Sequence, residues 1–225
     1  ITGGNVSLYN ETLGQGIDPT PVVGVVGKLE LGGGREPLRL RFGGPGRAIV
    51  LLGAAGSGAA EMGATEYAAA ILGHTWGLPP RLDLERERRL HALLLDAHGR
   101  GLLESAHQVS TGGLAVCLAE CCLANTVERG EQAPVGARLS LPLGADAWVE
   151  LFHEGAGRVL VSCAPGHVPA LLQLARPAGV EAAAIGETGG DRLRLGASIA
   201  IPLDQLWNAW HGALARQLVA EGVGA

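Results

Sequence analysis

Residues Ala48-Ile49-Val50-Leu51-Leu52 form an unbroken apolar run that stops at Gly53. Such a run lacks the polar alternation of a half-solvated strand, so it reads as a central strand covered on both faces. That one stretch predicts a sheet with helices packed against it, an α/β (α+β) fold. The composition agrees: 47% of residues are hydrophobic but only 4% aromatic, so the core must be built from Leu, Val, Ile and Ala. At 225 residues the chain is long enough to bury a core as one large or two small domains.

The remaining elements follow from pattern and punctuation. Glu61 to Gly73 is a helical candidate, and Asp83 to His98 opens on an acidic N-cap and spaces Leu84, Leu90, Leu93, Leu94 and Ala97 into an apolar stripe. Ala115 to Asn125 reads as a helix reached through Gly112-Gly113, with Ser110 or Thr111 as its N-cap. Leu139 to Leu141 and Arg158 to Ser162 read as strands, and His167 to Ala175 as a helix. Val180 to Ile185 and Leu193 to Leu195 read as a strand pair bracketing the turn Gly189-Gly190-Asp191, and Leu203 to Glu221 as one closing helix. Before the central strand, Leu38 to Phe42 alternates like an edge strand between the glycine clusters 32–34 and 43–46, and Val22 to Val26 reads as a buried strand after Pro19-Thr20-Pro21. These breaks divide the chain into residues 1–30, a glycine-rich connector over 31–46, and an α/β domain over 47–225.

Charge and cysteine usage exclude several functions. A net charge of -5 with the arginines scattered gives no basic footprint, so no nucleic-acid partner is expected. No run approaches the roughly 18 to 20 apolar residues of a membrane span, and no charged-then-apolar signal opens the chain. A cytoplasmic protein without a membrane partner is the expectation. Cys117, Cys121, Cys122 and Cys163 lack CxxC spacing and read as buried structural thiols. Gly53-Ala54-Ala55-Gly56-Ser57-Gly58 follows a strand but lacks the spacing of a phosphate-binding loop, and reads as a connector. The histidines show no partnered motif, and the turns at Phe152-His153-Glu154 and Gly189-Gly190-Asp191 read as turn formation and capping.

Chemistry concentrates at Gly4-Asn5-Val6-Ser7-Leu8-Tyr9-Asn10-Glu11. Gly4 leaves the backbone open to close approach, while Asn5, Ser7, Asn10 and Glu11 supply amide, hydroxyl and carboxylate oxygens suited to a hard cation or a phosphate ester. Turn formation by Gly and Asn explains the same residue types. The string Thr2 to Glu11 followed by Pro19 to Gly27 resembles the synthetase subunit of phosphoribosylformylglycinamidine synthase, of the purine pathway. The same resemblance runs on in order through Gly63-Ala64-Thr65-Glu66-Tyr67, Ala106 to Val116, Leu151-Phe152-His153-Glu154 and Ile185 to Asp191.

The resemblance implies the C-terminal part of that enzyme. It implies a PurM C-terminal-like domain, preceded by the last strand and loop of a PurM N-terminal-like domain that binds ATP and substrate. The implied reaction converts formylglycinamide ribonucleotide (FGAR) to formylglycinamidine ribonucleotide (FGAM), using ATP and glutamine-derived ammonia. Carried onto this sequence, the family's pattern places Gly4 against ATP, Asn5 on Mg2+ and Ser7 on the substrate. It also implies a glutaminase subunit and a small accessory subunit as partners. The catalytic histidine and magnesium carboxylates are expected upstream, so this segment alone is expected to be inactive. Gln108 and Thr111 stand where the family usually has aspartates, which leaves no ionic role there. Alternatives are a non-catalytic scaffold domain, or part of another PurM-superfamily ATP-dependent enzyme.

Overall fold

The computed structural model of the chain describes residues 1–4, 11–17, 21–28, 36–53, 61–123, 134–141 and 146–220. Contacts divide it into two units, Ile1–Pro37 and Leu38–Ala225. In the first, β1 (Glu11–Thr12) and β2 (Gln15–Gly16) form an antiparallel hairpin. Its turn residues Leu13 and Gly14 have φ of 52° and 76°, the left-handed pair of a type I′ turn whose twist matches a hairpin. Val22 to Val26 departs from the expected buried strand. It has no strand partner among the described residues, and Val22, Val23, Val25 and Val26 are 82–101% exposed. An apolar strand is buried only when neighbouring strands and a covering layer surround it, and the described residues of this unit supply neither.

The second unit is built on a seven-stranded sheet. Its strands are β3 (Ala48–Leu52), β4 (Ser105–Gln108), β5 (Ala137–Leu139), β6 (Val159–Cys163), β7 (Ala182–Thr188), β8 (Arg192–Leu195) and β9 (Ile199–Pro202), in the order β4-β6-β3-β7-β5-β8-β9. All pairs are antiparallel except β5 with β8. The helices are α1 (Glu66–Ala70), α2 (Leu84–Gly99), α3 (Gly113–Leu123), α4 (Ala147–Phe152), α5 (Val168–Ala175), α6 (Leu203–His211) and α7 (Ala213–Ala220). The apolar run is central, as expected. Ala48, Val50 and Leu52 pack with Leu90, Leu93 and Ala97 of α2 and Leu171 of α5, whereas Ile49 packs on the opposite face with Leu114, Leu118 and Cys121 of α3. An unbroken apolar strand therefore serves an antiparallel sheet here, because helices cover both sides.

Helix α2 matches its expected bounds within a residue, and Asp83 caps it: Oδ1 accepts from Glu85 N and Arg86 N, both at 3.0 Å. Leu84 leaves the stripe and is 73% exposed. The expected 61–73 helix shortens to α1 because Ala64 takes φ 59° and Thr65 becomes the N-cap, accepting from Ala68 N at 3.2 Å. Leu38 to Phe42 is no strand: it makes one bridge, Arg39 with Ser105, before Phe42 turns into the core and donates its N–H to Cys121 O at 2.9 Å.

Strands β7 and β8 bracket the Gly189-Gly190-Asp191 turn but do not pair with each other, since β5 lies between them. Gly136 permits that insertion, as a Cβ there would lie 2.4 Å from Arg192 O and 2.8 Å from Gly189 O. The single closing helix expected over 203–221 breaks at Gly212, which caps α6 and accepts from Arg216 N at the start of α7. Helix α4 and strands β1, β2, β4 and β9 have no counterpart in the sequence reading; at two to six residues each they are too short for a periodic signal.

Candidate functional site

Of the three residues expected to bind ligands, Gly4 is exposed, with nothing within 4 Å of where a Cβ would sit. Asn5 and Ser7 lie outside the described residues, as do Val6 to Asn10 and Ala54 to Ala60. The polar groups that the structure does bring together lie elsewhere, at the junction of β4, α3 and the segment after α4.

That junction begins with two glycines. Gly112 and Gly113 have φ of 77° and 67°, and a Cβ on Gly113 would stand 2.6 Å from Leu151 O and 2.7 Å from the Phe152 backbone. The start of α3 thus rests directly on the end of α4. Neither Ser110 nor Thr111 caps Gly112 N: Glu154 Oε1 accepts that N–H at 2.7 Å and Glu66 N at 2.9 Å. One carboxylate therefore holds the N-terminal ends of two helices, the position where helix amides attract an anion. Stacking sets this arrangement, since Tyr67 of α1 lies 5.2 Å from both Trp148 and Phe152 of α4. The predicted capping role of Glu154 holds, but its partners are 42 and 88 residues away.

Beneath Glu154, His153 and Arg158 are buried, 1% and 2% exposed. Arg158 donates from Nη2 to His153 O and from Nε to Gly155 O at 3.4 Å. Burial lowers its pKa to about 10, helped by the like charge of Arg86. Burial and the Arg158 charge also lower the pKa of His153, whose Nδ1 accepts from Gly155 N at 2.9 Å. Bonded to backbone at Nδ1, the buried ring is a packing element of this turn. Gln108 and Thr111 are exposed.

On the other side of β4, His107 gains the partners its sequence surroundings conceal. Nε2 lies 3.3 Å from Glu120 Oε2, Nδ1 lies 2.9 Å from Gln108 O, and the Cys117 thiol donates to the His107 carbonyl at 3.8 Å. The Cys117 side chain, with Glu120 beyond it, holds the imidazole up to about 9. The Cys121 thiol, donating toward Cys117, brings that group down to about 6 while Cys121 itself is pushed up. All four cysteines are free and buried, as the sequence implies, and burial takes Cys122 up to about 12. A cavity of about 590 Å³ lies between α3, α6 and β8-β9, lined by Val116, Ala119, Leu195, Ile201, Leu206 and Trp210, with His107 and Glu120 at its edge. His107 and Glu120 satisfy each other, so the cavity offers apolar contact. Among the described residues no group of three or more His, Cys, Asp or Glu could hold a metal ion, and no helix is long and apolar enough to cross a membrane.

Comparison with known proteins accounts for this architecture. The sequence pattern of the family "AIR synthase related protein, C-terminal domain" matches residues 44–197. The phosphoribosylformylglycinamidine synthase subunit PurL of Parafrankia sp. (strain EAN1pec) is 42% identical over 219 residues, 96% of this chain and 27% of the relative. Its counterpart in Nocardioides sp. (strain ATCC BAA-499 / JS614) is 44% identical over 214 residues, 95% and 26%. The chain thus spans about a quarter of the length of the curated relatives it matches. Among solved structures, Thermotoga maritima PurL complexed with FGAR has a TM-score of 0.58 at 19% identity, over 75% of this chain and 29% of that one. The complex of that protein with ATP has a TM-score of 0.55 at 19% identity, over 75% and 27%. The chain carries the fold of those proteins and belongs to the AIR synthase related protein family, whose C-terminal domain covers residues 44–197.

Proposed function

We propose that this chain is the C-terminal part of an ATP-dependent carbon-nitrogen ligase, the synthetase subunit that makes FGAM from FGAR in purine biosynthesis. The observation that carries the reading is identity of 42–44% with curated PurL subunits over 95–96% of the chain. ATP activates the amide oxygen of FGAR by phosphoryl transfer, and ammonia then displaces phosphate, leaving the amidine, ADP and phosphate. Such a step depends on positioning and charge neutralisation. In this reading residues 1–30 are the edge of the preceding ATP- and substrate-binding domain, residues 31–46 a connector, and residues 47–225 a packing domain.

Gly4 then lets ATP approach the backbone, Asn5 gives one neutral oxygen to Mg2+, and Ser7 binds the ribonucleotide. One amide oxygen is far from a complete magnesium shell, so carboxylates elsewhere in the enzyme and phosphate oxygens must supply the rest. The protein works in the cytoplasm with a glutaminase subunit and a small accessory subunit. The test is FGAR-dependent ADP formation with ammonia, on a polypeptide extended to the length of the relatives and on residues 1–225 alone. The extended protein is expected to turn over and the shorter one not; a folded extended protein without FGAR-dependent hydrolysis would overturn the proposal.

A second reading is favoured by Glu154, which already fills the anion position at the start of α3. Residues 47–225 then serve as a scaffold without an adenosine pocket. This predicts that ADP binds residues 1–225 no more tightly than inorganic phosphate does.

A further inference from the structure

Behind the sheet from Glu154, a cleft of about 200 Å³ is walled by glycine backbone and two arginines of α2. Gly53, Gly157 and Gly179 line it with φ of 96°, 76° and 66°, together with Leu90, Val180 and Glu181. The fit to the arginines is close. A Cβ on Gly157 would lie 3.1 Å from Arg86 Nε, and one on Gly179 3.8 Å from Arg89 Nε. Arg89 Nε is buried without a hydrogen-bond acceptor among the described residues, and its Nη1 reaches Glu85 only at 3.8 Å. A buried donor left without an acceptor costs free energy, which a ligand oxygen would recover.

The local charge is positive in a chain whose net charge is -5. Arg86 stands near enough to buried Arg158 to oppose that residue's charge. Glu85 is committed to Arg88 by two bonds of 2.9 and 2.7 Å, and Glu181 is the acidic side chain on the cleft wall. Planar guanidinium groups bind tetrahedral oxyanions through forked, charge-assisted bonds. The cleft is below the roughly 300 Å³ at which pockets accept drug-sized ligands, so it holds a phosphate group and not a nucleoside.

We infer that Arg86 and Arg89 form a binding site for a phosphate-type oxyanion, either free phosphate or the terminal phosphate of an ester. The site shares no residue with the proposed ligand turn at Gly4 to Ser7 and does not depend on it. The test titrates the chain with inorganic phosphate, ADP and glycerol phosphate at constant ionic strength. Binding is followed by 31P NMR and by Tm, against chloride.

Phosphate is expected to raise Tm beyond chloride and to bind Arg89→Gln at least about tenfold more weakly, a difference of about 1.4 kcal/mol. Arg89→Lys should fall between the two, and Glu181→Gln should bind severalfold more tightly. Esters binding more tightly than free phosphate would identify an ester as the source, and equal affinities would identify free phosphate. Binding of equal strength in wild type, Arg89→Gln and Glu181→Gln would overturn the assignment, as would no effect of phosphate beyond chloride.

Discussion

Glu154 ties α1 to α3 through two backbone N–H groups, so its removal leaves two donors without their acceptor. Glu154→Ala should cost about 2 kcal/mol in urea denaturation, with Glu154→Gln losing about half of that; a change under about 0.5 kcal/mol would remove its role. His107 and Cys117 lead to a pH prediction. A ring raised from 6.5 to about 9 contributes stability below pH 6.5 that is lost as pH rises through about 9. A thiol lowered from 9.0 to about 6 contributes stability above pH 9 that is lost as pH falls through about 6. The two slopes oppose each other between about 6.5 and 8, below the range where the raised Cys121 and Cys122 thiols lower stability, and wild-type stability should be flat there. In His107→Gln the thiol remains, so stability should rise with pH over that window; denaturation at three pH values distinguishes the two, and parallel flat profiles would contradict the pairing. Neither Glu154 nor His107 was fully legible as a residue. Capping by Glu154 was readable from its turn, but its partners are distant, and His107 meets Glu120 only because a strand, a glycine turn and a helix fold back on each other.

Elements were legible where one local signal dominated. The central strand and α2 emerge at their expected places, one from an unbroken apolar run and the other from Asp83 and the Leu90, Leu93, Ala97 stripe. Elements decided by distant contacts were not: β5 inserts between β7 and β8, and α6 ends at Gly212 although the residues on both sides favour helix. Gly53 shows how such a contact fixes an element. With φ of 96° and a Cβ position 1.8 Å from Gly157 O, it lets the end of β3 touch the turn before β6. Gly53→Ala should therefore destabilise the domain by about 3 kcal/mol, from backbone strain and overpacking together. Thermal denaturation by circular dichroism checks this, and a Tm within a degree or two of wild type would show that the two segments separate at little cost.

At the scale of the whole molecule, two sheet faces covered by helices explain how a core with few aromatics is closed. The family membership of residues 44–197 fits that architecture. The polar groups this domain gathers are mostly committed to each other, Glu154 to helix amides and His107 to Glu120. That commitment suits a supporting domain, and it leaves Gly4, Asn5 and Ser7 as the proposed contribution to the reaction. Asn5→Ala in a polypeptide of the relatives' full length tests this most directly. With FGAR, ATP, ammonia and Mg2+, the account predicts that kcat/KM falls about 100-fold or more, as when a single transition-state contact is lost, while Tm is unchanged. Turnover equal to wild type in a folded protein would contradict it.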